Sequence, residues 1–214
     1  MDRGAEQLPY VGILLAAGNG RRFDPTGEKN KLLQRLPDER MVVSCAASSL
    51  RAAMPFVLAV IPATQTMRAA RLSSLGCVVT PCPAGACGMA ASLVHALRLT
   101  SMARGWIIAL GDMPFVRPST ITALADALAL GAAIAVPVHR GKRGNPVGFS
   151  RRHLAELLQL RGDVGARKLL DIHPVQELAV GDPGILIDID RPSDLAAVDL
   201  GSLSFNRCPS SNRT

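Results

Sequence analysis

Through the first 137 residues, short apolar runs alternate with longer stretches rich in Ala and Leu. The runs Val11–Ala16, Phe56–Ile61, Gly76–Thr80, Trp106–Leu110 and Ala133–Pro137 have the length and boundaries of strands. Between them lie "MVVSCAASSLRAA", "TQTMRAARLSSL", "GMAASLVHALRL" and "PSTITALADALAL", each with apolar residues at helical spacing, and Pro118 with Ser119 starts the last of these. A strand–helix alternation of this kind closes by right-handed crossovers into a parallel sheet with both faces covered. After Pro137 the rhythm changes. "VHRGKRGNPVGFS" predicts a hairpin or a covering loop, and short helices follow over His153–Leu160 and Val164–Asp171, the second capped by Asp163. Strands near Val175–Val180 and Ile185–Ile189 and a last short helix opened by Pro192 and Ser193 complete the pattern.

A length of 214 residues suits one sizeable core. No repeat or long linker interrupts the chain, so residues 1–200 are expected to form a single domain and 201–214 a polar tail. "MDRGAEQLPY" has no apolar stretch of the signal-peptide kind, and no run approaches the roughly 20 residues of a membrane helix. A cytoplasmic protein without a membrane partner is the expectation. The cysteines Cys45, Cys77, Cys82, Cys87 and Cys208 form no C-x-x-C pair, and the four histidines are scattered. The net charge of +7 suits phosphorylated ligands; aromatics at 3% and the lack of a long Lys/Arg run weigh against nucleic acid.

The first strand empties into "AAGNGRRF". In a parallel sheet, ligands sit beyond the carboxyl ends of strands. Gly18 and Gly20 let backbone N–H groups approach an anion, and Arg21 and Arg22 add guanidinium groups able to grip phosphate. The dinucleotide fingerprint fails because Phe23 stands where glycine is needed, and the P-loop motif is absent. Downstream, Lys29 and Lys31 precede two leucines, and the apolar run anchors Lys31. "WIIALGDMPFV" ends a second strand on Gly111 and Asp112. A carboxylate beside a phosphate site makes sense with a cation between them, and Mg²⁺ commonly joins one or two carboxylates to substrate phosphates. Asp188 and Asp190, two residues apart and on one face if extended, are candidates for a second carboxylate. "VTPCPAGACGMAASL" is a glycine-rich approach to a helix whose N–H groups could meet a nucleotide. Asp194, with Ser193, is expected to serve the last helix terminus.

In this order, "LLAAGNGRRF" with "KLL", "GMAASL", "LGDMPFV", "GNPVGF", "GDVGARKLL" and "DIDRPSDL" resemble the nucleotidyltransferases of molybdenum cofactor maturation, most closely the cytidylyltransferases, from about Val11 to Leu195. The resemblance implies an α/β fold: a doubly wound three-layer sandwich with a mostly parallel sheet, of the nucleotide-diphospho-sugar transferase type. It implies a Mg²⁺-dependent enzyme that moves CMP from CTP to the terminal phosphate of molybdopterin and releases pyrophosphate. An apo-molybdoenzyme would be a further partner. Arg22, Lys31 and Asp112 would be catalytic, and Asp112 with Asp190, in preference to Asp188, would hold the metal. Leu15, Ala16, Ala17, Gly18 and Gly20 would bind substrate, as would Gly88 and Ser92 on one side and Gly144 and Pro146 on the other. The methyl group of Ala17 narrows the base site in the direction of cytosine, where guanylyltransferase relatives carry glycine. Three departures stand out: a longer loop that also offers Lys29 for the lysine role, Asn145 where histidine is frequent, and Arg191 where threonine is usual. The alternatives are another phosphorylated acceptor, such as a sugar or polyol phosphate, or a non-catalytic carrier of the cofactor.

Overall fold

The first strand, β1 (Val11–Leu15), lies inside the sheet, paired in parallel with β2 (Val57–Pro62) on one side and β4 (Gly105–Leu110) on the other. It belongs to a computed structural model that describes residues 9–18, 20, 22–82, 88–162 and 166–198. The chain runs outward from β1 through α1 (Val42–Ala53), β2 and α2 (Thr66–Ser74) to β3 (Val78–Cys82), which pairs in parallel with β2. It then returns through α3 (Met89–Leu99) to β4 on the far side of β1, and α4 (Pro118–Ala129) leads on to β5 (Ile134–His139). This reversal of winding between β1 and β4 opens a crevice at their carboxyl ends.

Period-two alternation divides the buried side chains between the two faces. Leu14, Ala59, Ile107 and Ala109 pack with Leu50 of α1, Leu72 of α2 and Leu124 and Leu128 of α4. Val11, Ile13, Leu58, Val60, Trp106 and Ile108 pack with Leu93 and Leu97 of α3. The direction of travel reverses at β3, so a crossover of the same hand puts α3 on the opposite face. The three layers and the doubly wound order agree with expectation. Gly12 brings β1 close to α1, since a Cβ there would sit 3.0 Å from Leu50 Cγ. Burying Trp106 leaves no polar atom stranded, because its indole N–H donates to Thr100 Oγ1 at 2.9 Å.

The glycine-rich segment after Pro137 forms both a hairpin and an inserted strand. β5 turns through Arg140 and Gly141, at φ 49° and 76°, into β6 (Lys142–Arg143). β7 (Val147–Ser150) then runs antiparallel between β4 and β5. β8 (Gln176–Ala179) pairs in parallel with β5. The full path is β3-β2-β1-β4-β7-β5-β6, with β8 on β5, so the eight-stranded sheet is mostly parallel.

The helix expected over His153–Leu160 is shorter: a 3₁₀ turn (Arg151–His153) followed by α5 (Leu154–Leu157). In the next helical region a 3₁₀ turn (Ala166–Lys168) precedes α6 (Leu169–Ile172), while its expected start at Val164 and cap Asp163 lie outside the described residues. Arg21, Cys87 and the expected tail 201–214 also lie outside them.

The strand expected over Ile185–Ile189 is absent. Residues Pro183–Leu186 form a 3₁₀ turn. Pro183 removes a ladder donor, and a Cβ on Gly184 would overlap the Phe115 carbonyl, so the chain is pressed onto the β4–α4 connection rather than onto a strand edge. Asp182, 2% exposed, fixes that turn: its carboxylate accepts from Gly184 N at 3.0 Å, Arg117 N at 2.9 Å and Thr120 Oγ1 at 2.7 Å. Among the described residues, no helix is long and apolar enough to cross a membrane.

Candidate functional site

Three segments meet at the mouth of the β1/β4 crevice. The loop after β1 is drawn close to β4 by Gly111, whose N–H donates to Leu15 O at 2.9 Å. A Cβ on Gly111 would stand 3.2 Å from both Ala16 Cβ and Leu15 O, so the two strand ends approach at a distance that suits glycine. Asp112 follows at the tip of β4. Its backbone carbonyl accepts from Ile189 N at 2.9 Å, and this bond carries Asp188 and Asp190 to the same place.

Lys31 is the centre of the cluster. It opens a 3₁₀ turn (Lys31–Leu33) that Asn30 caps by accepting from Leu32 N at 3.0 Å. Leu32 and Leu36 are buried beside it, and Lys31 itself is 7% exposed. Its Nζ donates to Asp112 Oδ2 and to Asp190 Oδ1, both at 2.6 Å. Burial opposes the ammonium charge, but Asp112 and then Asp190 outweigh it, and the pKa of Lys31 is raised. The Lys31 hydrogen bond holds Asp190 below the ordinary carboxylate range, with help from Arg22, whose guanidinium donates to Asp190 Oδ2 at 3.1 Å. Partial desolvation, with repulsion from Asp190 and Asp112, raises the pKa of Asp188. Lys29, by contrast, is exposed and its backbone N–H donates to Asp24 Oδ2 at 2.6 Å, so of the two lysines it is Lys31 that reaches Asp112 and Asp190.

Gly20, at φ 63°, lies over the Lys31 side chain, where a Cβ would be 3.2 Å from Lys31 Cγ. Its carbonyl accepts from Phe23 N at 2.8 Å and Asp24 N at 3.0 Å, which curls the loop back on itself. Gly18 is exposed, with nothing within 4 Å of the place a Cβ would take, and Ala17 and Leu15 are half-buried. Ala16 is buried, and its carbonyl accepts from the fully buried Arg68 of α2. No sequence pattern pointed to Arg68, whose pKa burial lowers to about 10.

Other expected site residues are less available. Ser92 is 3% exposed and turned inward, with its hydroxyl 3.4 Å from Gly88 O and 3.5 Å from Cys82 Sγ; it braces the start of α3 rather than facing solvent. Gly88 precedes α3 at φ 104°, a conformation that favours glycine. Gly144 has a packing reason to be glycine, since a Cβ would collide with Ile185, and Pro146 is buried. Asp194 caps the last helix, α7 (Pro192–Ala196), without Ser193: it accepts from Asp190 N at 2.8 Å and Arg191 N at 2.7 Å, which also steadies Asp190.

Among the described residues Asp112 Oδ1 is buried with no partner, while Asp112 Oδ2 and Asp190 share one ammonium. A spare carboxylate oxygen and two acids around the Lys31 ammonium, with Arg22 on the outer oxygen of Asp190, form a hard oxygen donor set that fits a divalent ion of the magnesium or manganese kind. Residues 12–178 match the MobA-like NTP transferase domain. The chain belongs to that family. As a MobA-like NTP transferase domain, it is a nucleotidyltransferase. No curated protein matches it. Among solved structures, Rv0371c from Mycobacterium tuberculosis H37Rv is 31% identical, with 89% of this chain and 100% of that chain covered and a TM-score of 0.72. The same mycobacterial protein in complex with manganese superposes at a TM-score of 0.71 with 30% identity, covering 88% and 99% of the two chains. Molybdopterin-guanine dinucleotide biosynthesis protein A from Archaeoglobus fulgidus shares the fold at 22% identity and a TM-score of 0.62, over 87% and 95% of the chains.

Proposed function

We propose that this nucleotidyltransferase moves CMP from CTP to the terminal phosphate of molybdopterin and releases pyrophosphate, in the cytoplasm and with Mg²⁺ as its metal. We read residues 1–200 as the unit that does so. The observation that carries this reading is Lys31, held between Asp112 and Asp190 beside an unpartnered carboxylate oxygen at the β1/β4 mouth. The complex of the mycobacterial neighbour with manganese supports a divalent metal here, and the order of motifs supports the pterin acceptor.

Asp112 and Asp190 would hold the ion, which when bound supplies charge neutralisation at the α-phosphate. The backbone N–H groups of Gly18 and Gly20 and the guanidinium of Arg22 would receive the β- and γ-phosphates, with Ala17 bordering the base. An acceptor phosphate oxygen forms the new bond to the α-phosphorus while the bond to the β-phosphate oxygen breaks in line. Lys31 and Arg22 take up the negative charge that develops on pyrophosphate. A phosphate monoester with its second pKa near about 6 is already an anion at neutral pH, so no side chain needs to remove a proton. The protein contributes position and fixed charge. Gly88 would border the nucleotide, and the Gly144–Pro146 turn would border the acceptor.

The test is incubation with radiolabelled CTP, Mg²⁺ and molybdopterin, followed by separation of products. A labelled dinucleotide with equimolar pyrophosphate is expected, and GTP is expected to be the poorer donor. Pyrophosphate release with a sugar or polyol phosphate but not with molybdopterin would reject the acceptor. Tight pterin binding without any release would reject the transfer.

A further inference from the structure

At the end of the sheet opposite the Lys31 cluster, three side chains from two stretches of sequence converge. His153 ends the 3₁₀ turn after β7, Glu156 lies in α5, and His173 follows α6. His153 Nδ1 is 3.1 Å from Glu156 Oε1, His173 Nε2 is 2.6 Å from Glu156 Oε2, and the two imidazole centroids are 4.6 Å apart. One donor atom from each residue lies within 4.8 Å of the other two. His153 is 7% exposed and packs edge-on against Phe149, which fixes its ring. Its Nε2 is buried without a partner among the described residues, and Nδ1 is the nitrogen turned toward Glu156.

We propose that His153 Nδ1, Glu156 and His173 Nε2 form a binding site for a first-row transition ion, with Zn²⁺ the best fit. Two imidazoles and one carboxylate suit zinc, whereas magnesium favours an all-oxygen shell. Tetrahedral zinc with bonds of about 2.1 Å wants donors about 3.4 Å apart. Glu156 and His173 are both partly open to water, at 40% and 27% exposure, so they have room to close the remaining distance and to admit a water as fourth ligand. The site is separate from Asp112 and Asp190 in position and in donor chemistry. Its role is that of a clip. A bound ion ties residues 153–156 to residue 173, joining the short helices Leu154–Leu157 and Leu169–Ile172. Between these helices in sequence, the Gly162 carbonyl accepts from Ala90 N at 3.3 Å at the start of α3.

The experiment titrates the metal-free full chain, carrying Asp112→Asn and Asp190→Asn to disable the other cluster, with Zn²⁺ by calorimetry and with Co²⁺ by visible absorption. One ion per chain with nitrogen-ligated Co²⁺ bands is expected, along with a rise in Tm on adding Zn²⁺. Loss of a group that merely orients a ligand weakens metal binding about 10–100-fold, so His173→Ala is expected to weaken it at least that much. Glu156→Gln preserves shape and hydrogen-bonding capacity but makes a poor ligand, so it too is expected to lose the Tm response. An undiminished response in both variants sends the ion elsewhere and overturns the proposal. So does the absence of Zn²⁺ binding in the parent chain, which would leave the three groups as a hydrogen-bonded latch. Transfer activity enters neither readout, so the proposal and the nucleotidyl transfer reading can fail independently.

Discussion

Replacing Lys31 with methionine isolates what its ammonium does. Methionine keeps most of the side-chain volume against Gly20 and leaves Asp112 and Asp190 facing each other without the ammonium between them, with the exposed Arg22 on Asp190 as the remaining counter-charge. Breaking a buried ion pair by removing one partner costs about 3–5 kcal/mol. Here the lysine is nearly buried at 9% side-chain exposure, but the acids keep 21% and 31%, so water screens part of the repulsion. A cost of about 2 kcal/mol follows, which for a domain of this size lowers Tm by about 4–8 °C. The pH profile is a stricter check. Asp190 has a lowered folded pKa, so its contribution is present above the unfolded value of about 3.9 and lost as pH falls through the folded one. Lys31 has a raised folded pKa, so its contribution is present below about 10.4 and lost as pH rises through the folded value. The gap in stability between parent and Lys31→Met is therefore widest from about pH 5 to 9 and narrows at both ends. Removing the ammonium also leaves the carboxylates to a divalent ion, so excess Mn²⁺ without nucleotide is expected to raise the variant's Tm more than the parent's. Thermal unfolding followed by circular dichroism across pH, with and without Mn²⁺, measures all of this. A gap that is flat across pH, together with equal responses to Mn²⁺, would refute the reasoning.

Asp188→Asn removes a carboxylate whose pKa is raised by desolvation and by its two acidic neighbours; because a raised acid costs stability above its unfolded pKa, the variant is expected to melt higher at pH 7 and to match the parent near pH 3, with transfer retained. Asp182→Ala deletes the acceptor of three hydrogen bonds at a 2% exposed position, which is expected to cost about 3 kcal/mol in urea unfolding and, by loosening the chain that delivers Asp190, to raise the Mg²⁺ concentration needed for half-maximal rate. Gly184→Ala drives a methyl into the Phe115 carbonyl and is expected to destabilise by about 2 kcal/mol or more, visible in the same urea titration. Asp112→Asn is expected to keep the fold and abolish transfer, as pyrophosphate release would report.

What could be read from the sequence depended on whether a residue's job was local. The strands β1, β2 and β4 show themselves as apolar runs because both of their faces are buried, and their alternation with helices implies a parallel sheet covered on both sides. Lys31 and Asp112 stand out because each sits at the edge of such a run, where a charged side chain needs a reason. The stretch from Asp182 to Asp190 misleads because its alternating apolar residues follow a strand pattern, while Pro183 and the close approach of Gly184 to Phe115 decide otherwise, and that contact is far away in sequence. For the same reason the sequence does not point to Asp182: two of its three partners are 62 and 65 residues upstream. His153 and His173 look scattered when only spacing along the chain is counted, yet in the fold both meet the Glu156 carboxylate. The cluster of Lys31, Asp112 and Asp190 thus depends on a long return of the chain. The backbone bond from Ile189 to Asp112 and the cap that Asp194 places on Asp190 are what turn an acid distant in sequence into a neighbour of the first loop. Any substitution that frees the 182–190 segment should therefore disturb the charge balance around Lys31 before it disturbs the sheet.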